Sequence, residues 1–164
     1  MTRKLCLLVA ILATLASVGI GAPAAFAKSR DVPFQGSYSG TVGFTGPATA
    51  AFSGIGVAAY LGRGTNDGVA NITGQAENCA GGVVNVNTEV LAAANGDTLT
   101  IVSDDVACPI SAGVLHGAGD WRVIGGTGRF SGVSGHGTLD GQSDLIHGVF
   151  FFQLSGGIPA PDGN

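Results

Sequence analysis

The residues of this chain whose side chains could best ligate a metal ion are its histidines and the acidic residues near them in sequence. They are His116, His136, His147, Asp120, Asp140 and Asp144. Imidazole and carboxylate groups together can ligate a metal ion. No pair among them has the short local spacing of a known metal motif, so we predict no metal site and no cofactor.

The sequence contains no motif for nucleophilic catalysis either. The serines lie outside any strand-turn-helix elbow, and no cysteine stands in a setting that would activate its thiol. The chain also lacks a glycine-rich phosphate loop. We therefore predict no catalytic residue and no hydrolase, kinase or nuclease activity.

Two cysteines, Cys79 and Cys108, follow the N-terminal segment, and a third, Cys6, lies within it. An even number of cysteines in an oxidising compartment favours a disulfide. In an up-and-down strand order, the segments that hold Cys79 and Cys108 fall at the same end of the sheet. We predict that these two residues form a disulfide bond.

The first 27 residues have the pattern of a Sec-type signal peptide. Arg3 and Lys4 are followed by an apolar stretch from Leu5 to Ile20, and the small-x-small sequence Ala25 to Ala27 precedes Lys28. The apolar stretch is short for a membrane span, which needs about 20 residues. The pattern predicts a signal helix, cleavage between Ala27 and Lys28, and a secreted protein, extracellular or periplasmic, with no membrane span after cleavage.

The charge of the mature chain excludes several partners. Two of the seven cationic residues leave with the signal peptide, while all eleven acidic residues remain, which gives a formal net charge of −6. Nucleic-acid binding requires a basic surface, and anionic membrane surfaces also attract basic segments. We expect neither as a partner.

Apolar and polar residues alternate with a period of two along the mature chain, as in half-buried β-strands. The expected strands are 34–45, 50–61, 69–77, 84–90, 98–106, 114–124, 135–141 and 145–154, with Asn66–Gly68 predicted as a turn. Regular spacing and short turns indicate an antiparallel sandwich or an up-and-down barrel. The many glycines favour a barrel of about eight strands over residues 34–158. Residues 28–33 and 159–164 are predicted as a flexible N-terminus and a disordered tail.

A glycine-rich corner stands between the sixth and seventh expected strands. Its residues are Gly125, Gly126, Thr127, Gly128, Arg129 and Phe130. We expect the glycines to supply positive φ angles or close backbone approach, and Phe130 to turn inward against Trp121. Arg129 is expected to hold the turn by binding carbonyls or an acid.

This corner, together with Leu61-Gly62-Arg63 and Ala94-Asn95-Gly96-Asp97 in the same order, resembles small secreted bacterial proteins of the dirigent and allene oxide cyclase-like superfamily. The resemblance covers about Gln35 to Ile158 and implies an eight-stranded antiparallel barrel. Members with known activity cyclise a fatty-acid epoxide or steer the coupling of phenoxy radicals. No catalytic residue of either group matches a position in this chain.

Two functions are compatible with these observations. One is a non-catalytic secreted barrel that binds a small apolar ligand or takes part in interactions at the cell exterior. The alternative is a dirigent-like or cyclase-like isomerase or lyase. An ionisable side chain deep in the barrel would favour the alternative; the ligand-binding residues are not predictable from the sequence.

The run Phe150-Phe151-Phe152 must place its middle ring on the opposite face of its strand from the other two. One set would fill the barrel and the other would cover its outside. An exposed aromatic on a sheet favours a partner, and a homo-oligomer is one expectation.

Overall fold

The computed structural model describes residues 31–160, which form a closed barrel of eight antiparallel strands. The strands are β1 (Asp31–Gly46), β2 (Thr49–Ala58), β3 (Gly62–Gln75), β4 (Val83–Ala93), β5 (Thr98–Ser111), β6 (Val114–Gly126), β7 (His136–Asp144) and β8 (Val149–Pro159). Each strand pairs with the next, and β8 pairs with β1 to close the sheet. The predicted up-and-down barrel is confirmed. Within this part of the chain, no helix has the length and apolar composition needed to cross a membrane.

The alternating strand directions place the turns at two ends of the barrel. The β1–β2, β3–β4, β5–β6 and β7–β8 connections lie at one end, which we call the open end. The other three connections and the pairing of Asp31 with Pro159 lie at the opposite end, which we call the closed end.

The barrel is longer than the sequence indicates at both termini. β1 begins at Asp31 rather than at residue 34, and β8 ends at Pro159, past the expected strand end at residue 154 and the expected domain end at residue 158. These extensions pair with each other, so residues 31–33 belong to a strand and not to a flexible segment.

The predicted signal peptide, its cleavage site at Ala27 and Lys28, and residues 161–164 of the predicted tail lie outside the described residues.

The predicted turn at Asn66–Gly68 is wrong. β3 runs through these residues and pairs with both β2 and β4 there. The Asn66 side chain is fully buried and donates a hydrogen bond to Glu89 on the neighbouring strand β4. A Cβ at Gly68 would collide with the Phe52 ring. Asn66 is therefore present because it binds Glu89 inside the barrel, and Gly68 because it leaves room for the Phe52 ring.

Phe130 fills the closed end. It belongs to the 3₁₀ turn Gly128–Phe130 between β6 and β7, and its side chain is fully buried. Trp121 is also buried, but its aromatic partner is Phe34, at 5.5 Å between ring centroids in an edge-to-face arrangement. The buried residues that share the core with Phe130 include Leu61, Leu91, Leu99, Leu154 and Ile158.

The three glycines of the corner differ in their reasons for being glycine. Gly128 has a φ of +59°, and a Cβ there would also collide with the Asp97 carboxylate. A Cβ at Gly126 would press against the backbone of Phe130. Gly125 departs from the prediction, because its φ is not positive and the nearest atom to an added Cβ is the Thr100 Cβ, at 4.0 Å. Its place in β6 leaves room for a side chain.

Arg129 links the corner to the neighbouring turn between β4 and β5. Its Nε lies 3.3 Å from an Asp97 carboxylate oxygen, and its guanidinium lies 5.4 Å from the centroid of the Phe130 ring. Asp97 also accepts a hydrogen bond from the Asn95 side-chain amide at 2.8 Å. The Thr98 N–H donates to the Thr127 hydroxyl at 3.0 Å. The two turns thus hold each other at the closed end.

The disulfide between Cys79 and Cys108 is present, as predicted, with the two Cα atoms 5.8 Å apart. It joins the β3–β4 loop to β5 at the open end. Cys108 and Pro109 lie within β5, which extends beyond the predicted end at residue 106. Pro109 fits there because it is past the last residue of β5 that pairs with β4, so its missing N–H removes no bond between those strands.

Candidate functional site

A cavity of about 140 Å³ enters the barrel from the open end. Much of its wall is apolar and is contributed by almost every strand. The apolar wall residues include Val42, Phe52, Ile72, Leu115, Leu139, Phe150 and Phe152. Because the core around Phe130 fills the closed end, a ligand would enter the cavity from the open end.

Aromatic rings form one continuous part of this wall. Phe150 and Phe152 stack with 5.6 Å between ring centroids, and Phe52 meets Phe150 edge to face at 5.5 Å. Tyr38 packs against Phe152 deeper in the core. Phe151, between the two inward rings, faces outward with 46% of its surface exposed, so the run alternates as expected. Self-association through Phe151 stays a prediction.

The opposite part of the interior is polar, and we call it the acidic face. Its residues are Asn66 of β3, Asn85, Asn87 and Glu89 of β4, and Ser103 and Asp105 of β5. Antiparallel pairing aligns β4 and β5, so that Asn85 lies opposite Asp105 and Asn87 lies opposite Ser103. Four of these residues, Asn85, Asn87, Glu89 and Asp105, line the cavity.

Asp105 is held by two amides. Asn85 Nδ2 donates to one carboxylate oxygen at 2.8 Å, and Asn87 Nδ2 donates to the other at 2.6 Å. Asn87 Nδ2 also lies 3.1 Å from the Ser103 hydroxyl. Burial raises the pKa of Asp105, while the two amide hydrogen bonds oppose the rise. The carboxyl is therefore fixed in direction but less easily ionised than a surface aspartate.

Glu89 lies deeper along β4 and is 1% exposed. Asn66 Nδ2 donates to its Oε2 at 3.0 Å. Burial raises the pKa of Glu89 to about 7, helped by the nearby negative charge of Asp105 and opposed by the hydrogen bond from Asn66. Burial and the Glu89 charge also raise the pKa of Tyr38 to about 12. Glu89 can therefore exist in either protonation state near neutral pH.

Asn66 has one polar atom without a partner. Its Oδ1 is buried and accepts no hydrogen bond from any residue in the described part of the chain. An unpaired buried acceptor is costly, at about 1–3 kcal/mol. Asn66 itself does not line the cavity.

No cation lines the cavity among residues 31–160. Arg122 pairs with Asp104 on the outer surface at 3.0 Å, and both side chains are more than half exposed. Arg129 is engaged with Asp97 at the closed end, and Arg63 is exposed on β3. These three arginines thus lie away from the acidic face.

The histidines also lie apart from the cavity. His116 pairs with Asp140 at 3.0 Å across β6 and β7, and His147 pairs with Asp144 at 2.6 Å in the β7–β8 turn. The Asp144 pKa is lowered by the hydrogen bond from the His147 side chain. Across residues 31–160, no three histidine, cysteine or acidic side chains gather where a metal ion could sit. The two other candidates, both exposed, are His136 and Asp120.

Sequence reasoning did not identify the acidic face, because a period of two locates β4 without showing which of its sides faces inward. Val84, Val86 and Val90 lie on one side of the strand, and Asn85, Asn87 and Glu89 on the other side line the cavity. Val90 is 38% exposed, whereas Glu89 is buried. The signal that was present is the polar alternation of Asn85, Asn87 and Glu89, which is as regular as that of the valines.

Comparison with solved structures shows that the barrel has a dirigent-like fold. Among solved structures, the pterocarpan synthase dirigent protein GePTS1 matches with a TM-score of 0.50 and 15% sequence identity, over 92% of this chain and 98% of that chain. This likeness concerns the fold, and it confirms the barrel class implied by the sequence resemblance. No family model matches the chain, and no curated protein matches it.

Proposed function

We propose that this protein binds a small, largely apolar molecule in the barrel cavity, with a polar group of that molecule against Glu89 and Asp105. The observation that supports this most is the combination of an aromatic wall and a confined polar face in one cavity of about 140 Å³. Ligand pockets commonly pair an apolar lining with a few placed polar groups that fix orientation.

The proposed site of action is outside the cytoplasm, after cleavage between Ala27 and Lys28. The disulfide between Cys79 and Cys108 supports this placement, because structural disulfides persist mainly in oxidising compartments. A pre-formed barrel fixed by such a bond suits a binding protein, since little ordering is needed when the ligand enters.

A second candidate function is an isomerase or cyclase that moves a proton inside the cavity. The observation that favours it is Glu89, a buried carboxyl beside the cavity whose pKa of about 7 suits proton transfer near neutral pH. The likeness to a pterocarpan synthase dirigent protein is compatible with this candidate. Binding is common to both candidates and is therefore tested first.

The test uses the mature chain and the neutral probe 2-phenylethanol, with calorimetry as the measurement. We expect binding to the unmodified protein and its loss in Gly117→Leu. Gly117 lines the cavity, and an added Cβ there has no neighbour closer than the Ala107 Cβ at 3.9 Å, so leucine fills open space. Gly74→Leu is the matched control, because Gly74 is exposed and nothing lies within 4 Å of an added Cβ.

Equal binding by the Gly117→Leu and Gly74→Leu variants would place the ligand outside the cavity and overturn the proposal. An absence of binding by the unmodified protein to any of several small apolar probes would also overturn it. For the second candidate, turnover that survives Glu89→Gln would exclude Glu89 as the proton-transfer group.

A further inference from the structure

The acidic face has more hydrogen-bond acceptors than donors available to a ligand. Its amide N–H groups already point at carboxylates: Asn85 and Asn87 donate to Asp105, and Asn66 donates to Glu89. A ligand that completes this arrangement must therefore bring donors.

The charges of the cavity also favour a ligand that brings hydrogen-bond donors. Among residues 31–160, Glu89 and Asp105 are the only charged side chains that line the cavity, and Arg63, Arg122 and Arg129 lie elsewhere. A buried carboxylate without a cationic partner is costly, and an opposite charge brought by a ligand would offset part of that cost. An anionic ligand would instead meet two like charges in a confined space.

The aromatic wall of the cavity also favours a cationic ligand with an apolar body. The stacked rings of Phe150 and Phe152 and the ring of Phe52 form part of the cavity lining. Aromatic faces attract cations, and the attraction is stronger where the contact is shielded from water. They also pack against the apolar body of a ligand.

On the basis of the cavity binding proposed above, we infer that the ligand is a small organic cation: an ammonium group attached to an apolar, preferably aromatic, body. Its N–H groups donate to Glu89 and Asp105, and its apolar body lies against Phe150 and Phe152. The cavity selects by charge as well as by size.

The affinity of the cavity for an ammonium ligand should depend on pH. The groups that face Glu89 are Asp105 on β5, Tyr38 on β1 and the neutral Asn66 on β3, so Asp105 is the other ionisable acid next to it. An ammonium ligand prefers ionised Glu89, which raises its affinity as pH rises from about 6 to about 8 and releases a proton on binding near pH 7. The affinity of a neutral alcohol lacks this rise.

The test compares three probes of similar size on the mature protein at about pH 8: 2-phenylethylamine, 2-phenylethanol and phenylacetate. We expect the amine to bind at least tenfold more tightly than phenylacetate, with the alcohol between them. The double variant Glu89→Gln and Asp105→Asn should bind the amine and the alcohol equally. Asp104→Asn is the control, since Asp104 faces outward and pairs with Arg122.

Should the double variant fail to fold, the pH dependence of amine binding by the unmodified protein decides the matter. Phenylacetate binding as tightly as the amine, or amine affinity that does not rise with pH, would overturn the inference. Binding of the alcohol with no preference for the amine would overturn it while leaving the proposed function in place. Binding of none of the three probes would overturn both.

Discussion

At the residue scale, the central feature is Glu89, an acid that is buried beside a cavity rather than on the surface. Acids are seldom buried without a charged partner, because water solvates a carboxylate far better than a protein interior does. Here amide groups from β3 and β4 replace a cation as the partners of Glu89 and Asp105. The arrangement leaves both carboxyls available to a ligand.

Glu89 should make the protein less stable as pH rises. Its pKa is raised from 4.5 to about 7 in the folded state, so the folded state holds the proton more tightly than the unfolded state does. Its stabilising contribution is full below about pH 4.5 and is lost as pH rises to about 7. We expect the free energy of unfolding, measured in urea, to fall by roughly 2–3 kcal/mol from about pH 5 to about pH 8.

Glu89→Gln should remove most of this pH dependence and be more stable than the unmodified protein at about pH 8, since glutamine is neutral and can still accept the bond from Asn66. The raised pKa of Asp105 adds a slope of the same sign. Asp104→Asn, on the outside, should keep the original slope. A Glu89→Gln variant with an unchanged slope would show that Glu89 is not the source.

At the element scale, the strands and most of the turns follow from alternation and glycine spacing, whereas the faces of the strands do not. A period of two locates a strand but is silent about which side is inside when both sides carry a regular pattern. On β4 the polar side faces inward, and on β3 a polar residue at Asn66 resembled a turn. Both features arise because the part of the barrel interior formed by β3, β4 and β5 is polar, so that polar residues of these strands are buried there.

The turn between β6 and β7 allows the causes of a glycine requirement to be separated. Gly125 has neither a positive φ nor a close neighbour, Gly132 has a φ of +73° with nothing within 4 Å, and Gly128 has both a φ of +59° and a collision with Asp97. We expect Gly125→Ala to change stability by less than about 0.5 kcal/mol. Gly132→Ala should cost about 1 kcal/mol and Gly128→Ala about 3 kcal/mol or more.

Thermal unfolding of the three alanine variants measures this order. Gly128→Ala matching Gly132→Ala would show that Asp97 moves away without cost. Gly125→Ala as damaging as Gly128→Ala would contradict the geometry of the corner described above.

At the scale of the whole molecule, two features hold the barrel together. The sheet of residues 31–160 closes on itself without free edges, and a disulfide joins the β3–β4 loop to β5. The bond between Cys79 and Cys108 spans 29 residues of sequence. Restricting a loop of this length in the unfolded chain stabilises the fold by about 3 kcal/mol. Export stays a prediction, and the disulfide is compatible with it because structural disulfides persist mainly in oxidising compartments.

The double variant Cys79→Ser and Cys108→Ser should therefore lose about 3 kcal/mol in urea unfolding. The single variant Cys79→Ser should lose nearly as much, since one missing partner already opens the loop. Two alkylatable cysteines in the unreduced, denatured mature protein would show that the bond does not form.

The central claim is that a small molecule enters the barrel from the open end and lies between the aromatic wall and the acidic face. The most direct measurement is the set of intermolecular NOEs between 2-phenylethanol and the methyl groups of the mature protein. Our account predicts NOEs to Leu115 and Leu139, which line the cavity, and their loss in Gly117→Leu. NOEs only to outward residues such as Ile55 and Ile124, or none at concentrations where binding is complete, would contradict it.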